Sequence, residues 1–207
     1  MSGRIALIDY GAGNLHSVAN ALKAAGATSI DITSNAAVVA CADRIVLPGV
    51  GAYGACASAL RAVRGMTEAL NVRVLGGGVP FLGICVGMQL MAEAGEEFGT
   101  HAGLGWIRGK VRPLTPADPT AKVPHMGWND VVPAVPHPLI EPGEAYFLHS
   151  FGFESDRKGE GIVATTEHGG QVTAAIGRDN MLGVQFHPEK SQRYGLALLE
   201  RFLAWRP

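Results

Sequence analysis

PFLGICVGMQLM, at residues 80–91, predicts a buried strand that turns directly into a helix. Residues 81–84 form an apolar run of strand length, and residues 86–94 carry a helical pattern. Cys85 stands at the junction, where the sequence has the GxCxG form of a nucleophile elbow. Such an elbow holds its middle side chain at the edge of a parallel sheet, so the segment predicts an α/β protein with a reactive thiol.

The residues around Cys85 have a chemical reason to be there. A side chain larger than that of Gly83 or Gly87 would collide in so tight a turn. We expect the N-terminus of the following helix to favour a thiolate over a thiol. The backbone N–H of Val86 is expected to face the position where an oxyanion would form.

Outward from the elbow, strand-length apolar runs alternate with helical patterns, as in a parallel sheet wrapped by helices. We predict strands at 5–9, 29–33, 44–48 and 81–84 and helices at 14–25, 54–63 and 86–94. The second half predicts strands with short turns at 106–112, 129–132, 146–151, 162–166, 172–176 and 182–186, which we expect to add antiparallel strands to the sheet. Proline-bearing loops at 113–124 and 133–142 are too short for linkers. A closing helix at 195–205, with Ser191 as its N-cap, completes one predicted domain over residues 1–207.

Charge and hydropathy exclude several classes of function. The chain has 17 Lys and Arg against 18 Asp and Glu, a net charge of −1, so it lacks the basic field of a nucleic-acid-binding protein. Its longest apolar run, residues 79–88, is shorter than the ~20 residues of a membrane-spanning helix. The run at 5–8 is shorter than the ~7 residues of a signal-peptide core. We therefore expect a cytoplasmic protein with neither nucleic-acid nor membrane partners.

The cysteines and histidines do not predict a metal or a cofactor. The three cysteines are an odd number without CxxC spacing, so neither a disulfide framework nor a zinc site is indicated. Cys41 and Cys56 lie in Ala-rich segments and are interpreted as structural thiols. HxxxH and HExxH spacings are absent from the sequence. The segment GAG at 11–13 begins like a dinucleotide-binding fingerprint, but His16 stands at the third glycine position, so no nucleotide cofactor is predicted.

A thiol nucleophile needs a base, and FHPE at residues 186–189 supplies the strongest candidate. Because residues two apart in an extended chain point the same way, Glu189 can reach the far nitrogen of the His187 ring. His125 and His149 remain weaker candidates, the first for an interface and the second for the rim of the site. The other four histidines are interpreted as packed or surface residues: His16, His101, His137 and His168.

Several segments of the chain resemble a known family. The elbow and GVQFHPEKS at 183–191 resemble the signatures of the class I, or triad, glutamine amidotransferases. Four further segments are similar to the glutaminase subunits of imidazole glycerol phosphate synthases: DYGAGNLHSV at 9–18, LPGVGAYG at 47–54, KVPHMGWN at 122–129 and YFLHSF at 146–151. The resemblance runs from end to end. It implies a flavodoxin-like α/β fold, with a mixed, mostly parallel central sheet and helices on both faces.

The resemblance also implies roles for individual residues. Cys85 would be the nucleophile, His187 the general base and then acid, and Glu189 the group that orients the imidazole. Four residues would hold the oxyanion through their backbone: Gly49, Val50, Gly51 and Val86. Four would bind glutamine: Gln89, Glu97 near the amino group, and the backbone of Ser150 and Phe151 near the carboxylate. Phe151 stands where an aromatic hydroxyl is common in the family, and Gly76 to Gly78 replace a usually polar turn.

A partner subunit and a reaction follow from the same resemblance. Five residues are expected at the interface with a cyclase subunit: Tyr10, Asn14, Met126, Trp128 and Lys190. Glutamine would be hydrolysed to glutamate and ammonia, and the ammonia channelled to the cyclase, which makes imidazole glycerol phosphate and aminoimidazole carboxamide ribotide in histidine biosynthesis. We expect the peptides of Gly49 to Gly51 to be misoriented at rest and shifted by partner and ligand.

Other readings of the sequence stay open. The chain could be the glutaminase subunit of another synthase, such as that of pyridoxal phosphate, although residues 9–18 and 122–129 argue against it. It could also be a catalytically silent binding subunit of the cyclase, against which the complete set of Cys85, His187 and Glu189 counts. A peptidase on the same fold would cleave peptides and need no partner.

Overall fold

The computed structural model describes residues 3–157 and 159–207, and within them thirteen strands and six α-helices. The strands are β1 Arg4–Ile8, β2 Ser29–Thr33, β3 Arg44–Gly49, β4 Phe81–Cys85, β5 Ala92–Glu96, β6 Thr100–Ala102, β7 Ile107–Pro113, β8 His125–Pro133, β9 Gly143–His149, β10 Phe151–Glu154, β11 Ile162–Glu167, β12 Gln171–Arg178 and β13 Met181–Val184. The helices are α1 Leu15–Ala24, α2 Ala36–Ala40, α3 Tyr53–Ala62, α4 Met66–Asn71, α5 Val86–Gln89 and α6 Gln192–Ala204.

The central sheet has nine strands in the order β2-β1-β3-β4-β13-β12-β11-β8-β9. Its first five strands are parallel, and β3, β4 and β13 are buried at every position. Strands this apolar need cover on both faces. Helix α1 packs against α6, and α2 and α3 pack against α4. Because the chain steps from β1 to β2 and then back past β1 to β3, right-handed crossovers place these two groups of helices on opposite faces. The predicted fold class is confirmed.

The remaining strands divide into two sets, and all their pairings are antiparallel except that of β5 with β7, which is parallel. Strands β12, β11, β8 and β9 extend the central sheet, as expected. Strands β10, β7, β5 and β6 form a separate four-stranded sheet, which the sequence did not predict. Strand β9 is the edge of the central sheet and pairs only with β8 in the strand order, so these two strands form a ribbon, the β8–β9 ribbon.

Several predicted elements need correction. The helix predicted at 86–94 is wrong beyond Gln89, because the chain enters β5 and pairs in parallel with β7. The single strand predicted at 146–151 is two strands, one in each sheet, separated at Ser150. The strand predicted at 182–186 ends at Val184, and a 3-10 turn covers Pro188–Lys190. Helices α2 and α4, and the π-helical turn Val72–Gly76 after α4, were not predicted.

The topology brings the ends of three neighbouring parallel strands together. The three strands are adjacent in the order β3-β4-β13. Gly49 is the last residue of β3, Cys85 is the last residue of β4, and the segment with His187 follows the end of β13 at Val184. Ligands of open α/β sheets bind at this edge of the sheet.

None of the helices in residues 3–157 and 159–207 has the length and apolar character needed to cross a membrane.

Candidate active site

Cys85 closes β4 in a backbone conformation that is rare for a residue with a side chain, with φ 54° and ψ −112°. Strain of this kind collects at functional positions. Helix α5 begins at the next residue but is only four residues long, so its dipole is small. The expectation that the N-terminus of this helix assists Cys85 therefore stays a prediction.

Two glycines permit the elbow, as predicted. A Cβ built on Gly87 would lie 1.8 Å from the Leu47 carbonyl oxygen, and one on Gly83 would lie 2.7 Å from the Gly87 carbonyl oxygen. Both obstacles are backbone atoms, which cannot move aside as a flexible side chain can. Strand β3 and the start of α5 therefore approach closely only because neither position carries a side chain.

His187 and Glu189 form a buried pair after β13. The His187 Nδ1 lies 2.9 Å from Glu189 Oε1, and their side chains are 3% and 2% exposed. The pairing was predicted from an extended chain, whereas the 3-10 turn of Pro188–Lys190 actually produces it. Ser191 was predicted to cap the closing helix, but its hydroxyl donates to the His187 carbonyl and accepts from the Tyr146 N–H. This serine ties the turn to β9.

The electrostatics of the pair favour a charged imidazole. Burial alone lowers the pKa of His187, but its hydrogen bonds to the Cys85 sulfur and the Glu189 carboxylate outweigh burial and raise that pKa to about 9. At neutral pH the ring is then an imidazolium, whose Nδ1–H donates to the Glu189 carboxylate. Its other nitrogen is the one available to the sulfur.

Cys85 and His187 line one cavity of about 250 Å³, so the structure brings the predicted nucleophile and the predicted base together. Glu189 stands behind the ring rather than in the cavity. The cavity wall contains eight further residues predicted for the site or its rim: Val50, Gly51, Val86, Gln89, Glu97, His149, Ser150 and Phe151. Lys190 lies at its edge and Leu148 completes the lining. Among residues 3–157 and 159–207, no group of three or more His, Cys, Asp or Glu side chains could hold a metal ion.

The predicted oxyanion segment follows β3. Gly49 pairs in register with Cys85, and Gly51 has a φ of +99°. Two side chains hold the flanking carbonyls: the Tyr10 hydroxyl donates to Pro48 O at 2.8 Å, and the Cys56 thiol donates to Val50 O at 3.4 Å. Cys56, interpreted from sequence as structural, thus also orients one peptide of this segment.

Tyr10 was expected at the partner interface, and its position corrects that expectation. The side chain is only 5% exposed, and its hydroxyl is engaged with the oxyanion segment. Burial raises the pKa of this phenol, so it stays protonated and able to donate. Tyr10 therefore acts from within the molecule, although the loop that carries it can still border a partner.

The residues predicted to bind glutamine line the same cavity as Cys85. The buried Gln89 amide donates to the Phe151 carbonyl and to Gln185 Oε1, both at 3.0 Å. The Glu97 carboxylate accepts from the Tyr53 N–H at 2.6 Å, which fixes it at the start of α3. Because a carbonyl oxygen and a carboxylate are both hydrogen-bond acceptors, a substrate carboxylate could be bound by the backbone of this segment only through its N–H groups.

Gln185 was missed by the sequence analysis. It is completely buried, and its amide lies 3.7 Å from the Cys85 sulfur as a donor while its oxygen accepts from Gln89. A glutamine between apolar residues in GVQF was the available signal, because a buried amide requires partners.

The other predicted interface residues lie at the surface. Met126 and Trp128 are 65% and 46% exposed on β8, and Asn14 is exposed just before α1. Lys190 is exposed, with its ammonium 5.8 Å from the Tyr146 ring centroid. His125 was weighed for an interface, but it is only 3% exposed, so that expectation is wrong.

Comparison with known proteins agrees with this geometry. The family model described as "Glutamine amidotransferase class-I" matches residues 6–205. A Zymomonas mobilis protein named "Imidazole glycerol phosphate synthase subunit HisH" is 60% identical, with 100% of this chain and 98% of that protein covered. A Brucella suis protein of the same name is 51% identical, with 99% of this chain and 100% of that protein covered.

Solved structures show the same fold at low sequence identity. A structure described as "Crystal structure of glutamine amidotransferase" superposes with a TM-score of 0.73 at 18% identity, covering 96% of this chain and 97% of its own. PurLQS from Thermotoga maritima gives a TM-score of 0.73 at 18% identity, covering 99% of each chain.

Proposed function

The chain belongs to the class I glutamine amidotransferases, and we propose that it is the glutaminase subunit of an imidazole glycerol phosphate synthase. The observation that carries the chemistry is the meeting of Cys85 and His187 in one cavity, with Glu189 on the far nitrogen of the ring. The choice of this synthase over others is supported by sequence identities of 60% and 51%, over the full length of the chain, to two proteins named as that subunit. Residues 1–207 would act as one glutamine amidotransferase domain in the cytoplasm.

The reaction begins with attack of the Cys85 sulfur on the side-chain amide carbon of glutamine. The imidazolium of His187, oriented by Glu189, gives its proton to the departing nitrogen, so ammonia leaves and a glutamyl thioester forms. Neutral His187 then takes a proton from water as the water attacks the thioester. Glutamate leaves and the cysteine is restored, so the sum is glutamine plus water to glutamate plus ammonia.

Oxyanion stabilisation is assigned to the N–H of Val86 and to the peptides of Gly49, Val50 and Gly51. The register of Gly49 with Cys85 supports this assignment, because it keeps the segment beside the nucleophile. The carbonyls on either side of the Gly49–Val50 peptide are held by Tyr10 and Cys56. A shift in this segment when the partner and its ligand bind would be a population shift onto the active geometry.

Glutamine would lie in the cavity with its amino group near Glu97 and its carboxylate at the N–H groups of Ser150 and Phe151. Gln89 would support that wall through its hydrogen bond to the Phe151 carbonyl. The Phe151 side chain offers no hydroxyl, so binding at this position rests on the backbone alone.

The useful product is ammonia, which becomes unreactive ammonium in bulk water near neutral pH. It therefore needs a protected route to a cyclase subunit that forms imidazole glycerol phosphate and aminoimidazole carboxamide ribotide. The residues proposed to meet that subunit are the exposed Met126, Trp128, Asn14 and Lys190, together with the loop after Tyr10.

The test is glutamate release by the purified chain mixed with the cyclase subunit and its acceptor ribonucleotide. We expect turnover that depends on the cyclase and is abolished in Cys85→Ala. Mixing with the synthase subunit of pyridoxal phosphate biosynthesis is the matched control and should give none. Equal glutamate release by Cys85→Ala would refute the assignment, and no release by the wild-type complex would make the chain a silent binding subunit.

A further inference from the structure

A continuous chain of hydrogen bonds runs from strand β8 to the wall of the cavity. The Asn129 amide lies 3.0 Å from His125 Nε2, His125 Nδ1 lies 3.0 Å from His149 Nε2, and His149 Nδ1 lies 2.8 Å from the Phe151 carbonyl oxygen. His125 and His149 are also register partners in the β8–β9 ribbon. We call these two residues the histidine relay.

Only one arrangement of protons satisfies the whole chain. A carbonyl oxygen can only accept, so His149 Nδ1 carries a proton and its Nε2 accepts from His125 Nδ1. His125 Nε2 then accepts from the Asn129 amide, whose second proton goes to the Glu167 carbonyl at 2.7 Å. Both rings are therefore neutral and of the Nδ1–H tautomer.

The surroundings of the rings keep them neutral and in place. They are 3% and 6% exposed, and burial lowers the pKa of His125 to about 3 and that of His149 to about 4. The neighbouring rings of His168 and His187 would repel an added charge. His125 stacks between Phe147 and His168, with centroids 4.7 and 4.1 Å away. Because the two nitrogens face each other, the pair is a hydrogen-bonded link and not a metal site.

The relay joins two surfaces that matter to the proposed function. Strand β8 alternates, so His125 and Asn129 point inward while Met126 and Trp128 point outward. At the other end, the Phe151 carbonyl also accepts from Gln89, which contacts Gln185, which contacts the Cys85 sulfur. Every step of this path is a direct contact.

We propose that His125 and His149 are positioning residues that hold the Ser150–Phe151 backbone for glutamine and couple it to the outward face of the β8–β9 ribbon. The proposal rests on the proposed function, since that face is taken as the cyclase interface. The direction of the Phe151 carbonyl determines where the N–H groups of the same segment point. A partner that shifts β8 relative to β9 changes the His125 to His149 contact, and the change reaches the glutamine-binding wall.

The first test measures the KM for glutamine and the kcat of the complex with the cyclase and its acceptor ribonucleotide. A positioning role predicts a change in KM with little change in kcat. His149→Phe removes both relay bonds, so we expect a KM about tenfold higher with kcat within about twofold. His149→Asn keeps a donor near Phe151 O but cannot reach His125, and it should restore KM to within about threefold of wild type. His137→Asn, at a half-buried histidine outside the relay that accepts from the Leu139 N–H, is the matched control and should change neither constant.

The second test addresses coupling. His125→Phe keeps an aromatic ring in the stack but has no donor for His149, so we expect the stimulation of glutaminase activity by the cyclase and its ribonucleotide to fall about tenfold. Wild-type KM in His149→Phe together with wild-type stimulation in His125→Phe would overturn the proposal. A wild-type complex that releases no glutamate would instead count against the proposed function.

A measurement on the unmodified full-length chain needs neither folded variants nor activity. Two-bond proton–nitrogen NMR spectra of ring-labelled histidines at neutral pH should show His125 and His149 as neutral Nδ1–H tautomers. The Nε2–H tautomer or an imidazolium at either position would break the chain of donors and overturn the proposal, whatever the enzyme assay shows.

Discussion

Replacement of Gly87 by alanine tests whether the elbow depends on backbone contact between α5 and β3. The added Cβ would lie 1.8 Å from the Leu47 carbonyl oxygen and 2.8 Å from its carbon, closer than real Cβ contacts. Strand β3 or α5 must therefore move by more than about 1 Å. Overpacking against backbone costs about 3 kcal/mol of unfolding free energy or more. Leu47 also precedes the Pro48 to Gly51 segment, so glutaminase activity should fall with stability.

Gly76→Ala is the matched control for this prediction. It makes the same chemical change in a helical turn, but nothing lies within 4 Å of the added Cβ. We expect it to be neutral or to stabilise by about 0.5–1 kcal/mol, because alanine has less conformational freedom to lose. Urea unfolding and glutamate release in the cyclase complex measure both variants. A Gly87→Ala variant that unfolds within about 1 kcal/mol of Gly76→Ala and keeps full activity would show that the elbow does not depend on this contact.

Three further predictions concern the base, the oxyanion segment and the interface. The alkaline limb of the pH profile of kcat/KM should lie near pH 9, where the imidazolium of His187 loses its proton. Glu189→Gln should move this limb to lower pH, because burial still lowers the pKa of His187 while the carboxylate no longer raises it, and an unmoved limb would contradict this. Tyr10→Phe leaves the Pro48 carbonyl without its donor, so kcat of the same complex should fall about tenfold with little change in KM. A kcat equal to that of the wild type would show that the hydroxyl is dispensable. Trp128→Ala should weaken binding of the cyclase at least tenfold, as measured by calorimetry, whereas Trp106→Phe, at a tryptophan that is buried, serves as the comparison. An unchanged affinity of Trp128→Ala would show that Trp128 lies outside the interface.

Much of the parallel half of the fold could be predicted, because its strands are short, apolar and separated by helical patterns. The elbow could be predicted as well, because GxCxG places a thiol between two glycines, at positions where the turn has no room for a side chain. His187 and Glu189 were found by their spacing, although the turn that joins them is 3-10 and not extended.

The errors arise where long-range contacts override local pattern. The helical pattern after Gln89 is lost because Ala92 pairs with Ile107 and Gly95 packs against the Tyr53 ring, where a Cβ would lie 2.5 Å away. Strands β5 and β6 have few β-branched residues, so their sheet left little trace in the sequence. The inward role of Tyr10 depends on the position of Pro48, 38 residues away, which no local pattern encodes.

The proposed reaction requires that the Cys85 sulfur attacks glutamine. Acid-quenching of the complex during turnover, followed by mass spectrometry of the digested chain, locates the glutamyl group. We expect an acid-stable adduct on the peptide that contains Cys85, and we expect hydroxylamine to remove it as it removes a thioester. A turning-over complex whose glutamyl adduct lies on another residue would contradict it.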